Sequence, residues 1–238
     1  MAKHLRIGLV LPDVLGTYGD DGNALVLRQR ARMRGIPAEI ERILLDGTVP
    51  DNCDIYTIGG GEDSAQVIAA AKLAASPGLA SAAADGRPIF AVCAGMQVLG
   101  RTFTAHGTQV DGLGLIDATT SPMSTRAIGE VSASPTRAGI TATLTEPLTG
   151  FENHMGGTVL GPDASALGTV KRGVGNADGS VEGVVQGSVV ATYMHGPALA
   201  RNPQLADLLL ANALGVTLAE LEPLELGEVD RLRLERLR

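Results

Sequence analysis

The chain has 238 residues, a formal net charge of -7, 45% hydrophobic and 19% charged residues, and 3% aromatics with no Trp. It is long and apolar enough to bury a core and to fold. Its acidity argues against a phosphate backbone as partner, and its few aromatics against base stacking, so no nucleic acid is expected. Two cysteines without a CxxC spacing argue against a disulfide framework or a zinc ribbon. Reduced thiols and the lack of a signal-like or membrane-length apolar run suggest a cytoplasmic setting with no direct membrane insertion.

"LRIGLVLP" reads as a buried strand. "YGDDGN" (18–23) is a turn with Asp21 as the expected helix N-cap. "ALVLRQRARMR" is a helix stopped by Gly35 and Pro37. "AEIERI" and "CDIYTI" are two more strands, the second ending in Gly59-Gly60-Gly61. Helices follow at about 64–75 and 79–84, then a strand at 88–92 and a helix after Cys93. This alternation predicts an α/β fold with a mainly parallel sheet flanked by helices. After residue 105, short glycine-split runs suggest antiparallel hairpins added to that sheet in the C-terminal half. "NPQLADLLLANAL" is a helix, and the charged tail is expected to be helical at its end.

In "AVCAG", Cys93 has Ala91 two places before it and Gly95 two places after. A nucleophile on a strained strand-to-helix elbow needs small neighbours at those positions. Such an elbow puts sulfur at a helix N-terminus, which favours thiolate, and aims the N–H of Ala94 at an oxyanion. A lone cysteine is also a common core filler, so spacing alone leaves both readings open; Cys53 has no such context and reads as core. "GGGED" lets the backbone approach a substrate closely. It fits neither phosphate-loop pattern, and Glu62 and Asp63 would repel phosphate. Of four histidines, His4, His106, His154 and His195, the last follows a strand-like run, where α/β folds place their sites. From spacing it is either a base or a structural residue. A metal site of Cys93, His154 and His195 lacks close ligand pairs, so none is expected.

"GGGED", "AVCAGMQVLG", "GFENHMGG" and "ATYMHGPALARNP", in this order, resemble the class I glutamine amidotransferases, in their cobyric-acid-synthase-like branch. "YGDDGNALVLRQRARMRG", "STRAIGE" and "GFENHMGGT" are similar to the glutaminase subunits of lipid II isoglutaminyl synthases. The resemblance runs from about Leu5 to Leu214. It implies a flavodoxin-like, single amidotransferase domain over 1–238, with its core at 5–214 and a charged tail at 215–238. By that resemblance Cys93 attacks the side-chain amide of L-glutamine and His195 is the base. Gly60 and Ala94 form the oxyanion hole, and Arg126, Gln97 and His154 hold the substrate.

The resemblance also implies a heterodimer with a MurT-like Mur ligase. That partner would use ATP and Mg, hold the lipid II acceptor and take up the ammonia, forming D-isoglutamine from D-glutamate. No cofactor is expected in this chain. Many amidotransferases carry an acid two places after the catalytic His, where this chain has Pro197. The expectation is therefore an unaided Cys–His pair or an acid supplied by the partner, with weak activity in the isolated chain. Two rivals are a glutaminase serving cobyrinic or cobyric acid amidation and a DJ-1/PfpI-like hydrolase or chaperone.

Overall fold

A computed structural model describes residues 4–237. The central sheet contains β1 (Leu5–Val10), β2 (Ala38–Ile43), β3 (Ile55–Ile58) and β4 (Ile89–Val92), joined late in the chain by β11 (Val184–Gln186) and β12 (Val189–Thr192). Its order is β11-β12-β4-β3-β1-β2, and only β11 runs antiparallel to its neighbour. Every residue of β3, β4 and β12 is buried. Continuous burial without alternation marks a parallel sheet covered on both faces.

Helix α1 (Gly22–Met33) connects β1 to β2, whereas α2 (Asp63–Ala74) and α3 (Gly78–Ala84) connect β3 to β4 in the opposite direction across the sheet. Right-handed crossovers in opposite directions put the helices on opposite faces. α1 packs with α5 (Ala198–Arg201) and α6 (Pro203–Leu214), and α2 packs with α4 (Ala94–Leu99). The strand order reverses between β1 and β3. At such a switch point the loops leaving the carboxyl ends of neighbouring strands splay apart and open a crevice.

The middle of the chain departs from the sequence expectation. β5 (Thr102–Ala105), β6 (Thr108–Asp111), β7 (Ala118–Pro135), β8 (Leu148–Leu160), β9 (Gly168–Arg172) and β10 (Val181–Glu182) do not extend the parallel sheet. They form a second six-stranded sheet of their own, with β8 paired to β7. The reason is occupancy: the free edge of β4 is taken by β12, in register from Val189↔Ile89 to Thr192↔Val92. The intervening strands pair with one another instead. The long β7–β8 ladder breaks between Pro122 and Ala127, and that irregularity carries Arg126.

Asp21 is also not the cap expected. It holds the N-cap position of α1, but its backbone is already helical (φ -51°, ψ -28°) and its side chain makes no capping bond. The carboxylate faces Arg42 at 3.8 Å instead. The tail ends in helix α7 (Gly227–Arg236), tied to the second sheet by Arg236 on Glu130 at 3.3 Å and to the loop before β8 by Arg233 on Glu146 at 2.9 Å. Among the described residues no single helix is long and apolar enough to cross a membrane.

Candidate active site

Four loops meet at the carboxyl ends of the parallel strands. The 11–21 loop follows β1, the Gly59–Gly61 loop follows β3, Cys93 follows β4, and His195 lies three residues beyond β12. Cys93 sits at φ +51° and ψ -108°, a left-handed conformation that a side-chain-bearing residue holds only when its surroundings impose it. Here the Cys93 N–H donates to the Thr192 carbonyl at 2.9 Å, and its carbonyl accepts the Gln97 N–H at 3.1 Å. Gly95 must be glycine: a Cβ there would lie 2.9 Å from the Gly59 carbonyl and 2.9 Å from Ile58 Cγ2. The small-residue spacing around Cys93 thus has a steric cause, the close approach of the β3 end to α4.

His195 is pinned by reciprocal backbone bonds with Phe151 at 2.9 and 3.2 Å. Its ring is buried. Nδ1 meets both carboxylate oxygens of Asp20, at 3.0 and 3.1 Å. Nε2 has no hydrogen-bond partner among the described residues, which leaves it open to the Cys93 thiol. Burial alone pushes the imidazole down. The Asp20 carboxylate hydrogen-bonded to Nδ1, with the Cys93 thiol nearby, outweighs it and raises His195 from 6.5 to about 10. The result is a Cys93–His195–Asp20 relay in which the acid fixes the ring and favours its protonated form.

Asp20 corrects the sequence reading. His195 needs no partner-supplied acid for its Nδ1, because the chain provides one 175 residues away. The turn carrying Asp20 reaches the ring because glycines let it. A Cβ on Gly59 would lie 2.2 Å from the Leu15 carbonyl and 3.1 Å from Asp20 Cβ, and one on Gly22 would lie 2.2 Å from Pro197 Cγ. Asn23 Oδ1 then accepts the Leu199 N–H at 2.9 Å, tying the start of α1 to the segment after His195. Paired with Asp21 in a glycine-rich turn, Asp20 gives no local signal of this role. The useful hint was an acid directly before a helix in the loop after the first parallel strand, a position that opens on the crevice.

The oxyanion residues need a second correction. The N–H of Ala94, the first residue of α4, makes no backbone hydrogen bond outside that helix among the described residues. The N–H of Gly60, however, donates to Asp20 Oδ2 at 2.9 Å. Its glycine character serves closeness: a Cβ would lie 3.1 Å from His195 Cε1 and 3.4 Å from Cys93 Cβ. In the same loop, Gly61 N–H has no acceptor among the described residues and its residue lines the cavity beside Cys93.

That cavity, about 130 Å³, is bordered by Tyr18, Gly61, Glu62, Gln66, Cys93, Gln97, Arg126, Asn153 and His154 among others. Arg126 stands exposed at its mouth, donating from Nε to Asn153 Oδ1 at 2.8 Å and from Nη2 to the Tyr18 hydroxyl at 3.5 Å. Gln97 is buried in a hydrogen-bond chain: its Oε1 accepts from Gln66 Nε2, and its Nε2 donates to the Tyr193 hydroxyl at 3.0 Å. Tyr193 continues to Thr158 at 2.7 Å and Thr158 to Thr120 at 2.8 Å.

His154 lines the cavity with its ring held in place, and its Nε2 has no hydrogen-bond partner among the described residues. Its Nδ1 lies 2.8 Å from the Gly156 carbonyl, its Nε2 faces Glu152 at 3.8 Å, and its ring stacks on Tyr193 at 3.6 Å. It forms a wall. On β8 it alternates inward with Glu152, which a sequence of mixed polar residues did not reveal. Cys53, by contrast with Cys93, is fully buried, and burial with the nearby Glu41 pushes its thiol up to about 12. It stays protonated and unreactive.

Gly156 offers a direct test of the pocket. A Cβ there would lie 2.4 Å from Gln97 Nε2 and 2.7 Å from Thr120 Cγ2. Overpacking of that kind costs about 1–3 kcal/mol. Gly156→Ala is expected to raise the KM for glutamine about tenfold, read from initial rates of glutamate release, with thermal unfolding as the control for folding. An unchanged KM would remove Gln97 from the substrate wall.

A thiol elbow and a histidine–carboxylate pair at the carboxyl edge of a parallel sheet define a cysteine-dependent α/β centre for acyl transfer from an amide or ester. The chain belongs to the CobB/CobQ-like glutamine amidotransferase domain family, whose model matches residues 6–203. It is 37% identical over 213 residues to the lipid II isoglutaminyl synthase (glutamine-hydrolyzing) subunit GatD of Staphylococcus aureus, covering 88% of this chain and 84% of that one. It is 34% identical over 215 residues to the protein of the same name from Streptococcus pneumoniae, covering 88% and 80%. The crystal structure of a glutamine amidotransferase from Thermotoga maritima shares the fold, with a TM-score of 0.53 and 13% identity, covering 98% of this chain and 94% of that one.

Proposed function

We propose that this chain is the glutaminase subunit of a lipid II isoglutaminyl synthase. The observation that carries the chemistry is the grouping of Cys93 with the His195–Asp20 pair, Cys93 lining a cavity that has Arg126 at its mouth. The acceptor is taken from the two relatives named above, which the chain matches over most of its length.

The cycle follows from the residues. Arg126 pairs with the α-carboxylate of L-glutamine, a task suited to a guanidinium, and Glu62 across the cavity mouth supplies a charge for the α-amino group. Cys93 Sγ, its proton already held on His195 Nε2, attacks the side-chain carbonyl. The tetrahedral oxyanion is received by the N–H of Ala94 and by the Gly60–Gly61 loop, where the Gly61 N–H is the free donor. His195 returns the proton to the departing nitrogen, and ammonia leaves. Water, deprotonated by His195, then cleaves the thioester to glutamate. Asp20 orients the ring throughout.

Ammonia released here needs an acceptor activated elsewhere. The sequence carries no ATP-binding fingerprint. The proposed partner is a MurT-like Mur ligase in a cytoplasmic heterodimer, using ATP and Mg to activate the D-glutamate α-carboxylate of the lipid II stem peptide. The test is glutamate release from L-glutamine by the chain alone, by the co-purified pair, and by the pair with ATP and lipid II. Glutamate and amidated lipid II forming in equal amounts is the expected result. Glutamate release without any amidated lipid II would transfer the chain to another acceptor, with cobyric acid-type substrates next to be tried. No glutamate in any arm would overturn the glutaminase reading.

A further inference from the structure

Glu182, at the end of β10, is wholly buried yet lines no part of the glutamine cavity. A buried carboxyl is costly to place in a fold unless its bonds repay the lost hydration. Its Oε1 accepts two donors from the end of β12: the Thr192 hydroxyl at 2.6 Å and the Tyr193 N–H at 2.8 Å. Thr192 Oγ1 in turn accepts the Met194 N–H at 3.0 Å. Oε2 has no partner among the described residues.

The segment so held is the one from which the catalytic groups hang. The Thr192 carbonyl fixes the strained Cys93 N–H at 2.9 Å, and His195 is the next residue after Met194. Here the strand has ended and the backbone turns out of the sheet, so its N–H groups need acceptors that no neighbouring strand provides. Glu182 reaches them from the second sheet. It is delivered by a rigid turn in which Asn176 bonds both the N–H of Gly183, at 2.7 Å, and its carbonyl, at 3.0 Å.

We propose that Glu182 is a positioning residue of the glutaminase centre, whose single oxygen sets the 192–194 segment and through it the relative placement of Cys93 and His195. This rests on the glutaminase reading above. Burial, with the Glu152 carboxylate nearby, raises Glu182 to about 7. Because Oε1 already accepts two hydrogens, the proton resides on Oε2 and the clamp survives in either charge state. Glutamine, with one acceptor oxygen and a neutral second atom, is then the conservative replacement.

The experiment measures glutamate release from L-glutamine, and alkylation of Cys93 by iodoacetamide from pH 6 to 9, in the co-purified complex. Glu182→Gln is expected to keep kcat within about threefold. Thr192→Val and Glu182→Ala are expected to lower kcat about tenfold or more, the scale of one or two lost hydrogen bonds to an ionisable group. In both, KM stays within about twofold and the alkylation profile shifts along the pH axis. Unchanged kcat and alkylation in folded Thr192→Val would overturn the proposal, even if Glu182→Ala fails to fold. A rise in KM alone would overturn it too. A wild type with no Cys93-dependent hydrolysis would instead sink the glutaminase reading on which it stands.

Discussion

Cys93→Ser is expected to lower glutamine hydrolysis by a factor of about 10³ or more, and to abolish glutamine-driven amidation by the complex. Serine keeps the shape of the side chain and the elbow's backbone bonds to Thr192 and Gln97, so folding and association with a partner are retained. What it removes is an easily ionised, polarisable nucleophile. The second arm supplies ammonium chloride in place of glutamine. Amidation then returns, because only ammonia production has been lost. Rescue by ammonia with no glutamate release identifies this chain as the donor. Glutamate released by the serine variant at the wild-type rate would place the nucleophile elsewhere. Loss of amidation that ammonia does not restore would mean that Cys93 supports the assembly and not the chemistry.

Asp20→Asn is expected to lower kcat about 10²- to 10⁴-fold, the range seen when the orienting acid of a relay loses its charge, with KM within about threefold. Both carboxylate oxygens lie within 3.1 Å of His195 Nδ1, and Oδ2 also accepts the Gly60 N–H. An amide offers one acceptor where two are used, and its NH₂ group points at an N–H. The ring then loses the partner that holds its proton on Nδ1 and favours the imidazolium.

The same substitution has a pH signature in stability. His195 is raised from 6.5 to about 10 in the folded chain despite the opposing effect of burial. A raised histidine contributes stability that is fully present below its unfolded value and is lost as pH rises through the folded one. The gap between wild type and Asp20→Asn is therefore expected to be widest at and below pH 6.5 and to close toward pH 10. Urea midpoints at three pH values across that window measure it. A gap independent of pH would show that Asp20 acts by packing alone.

The parallel half of the fold was legible because each strand is a short apolar run followed by a glycine-rich turn and a helix, and the order β-α-β constrains the connections. Cys93 and His195 could be picked out for the same reason: each stands just past a strand end. Asp20 could not, since the bond from its carboxylate to His195 joins the first and last parallel strands of the sheet, and no local pattern encodes that closure. Nor could the engagement of the Gly60 N–H, which depends on where the Asp20 side chain folds. The second sheet was mistaken for an extension of the first because strand periodicity shows pairing but not which edge is vacant. Along β8 a similar point applies: Glu152, Asn153 and His154 are all polar, so their sequence does not show which of them alternate inward.

The sheet order has a consequence for how the chain is made. Asp20 and Cys93 are synthesised early, whereas β12 fills the slot beside β4 only after residue 192 has been added. From residue 93 to residue 195 a growing polypeptide therefore carries its thiol and its acid without the imidazole that joins them. The grouping of Cys93, His195 and Asp20 can form only once that last parallel strand is in place.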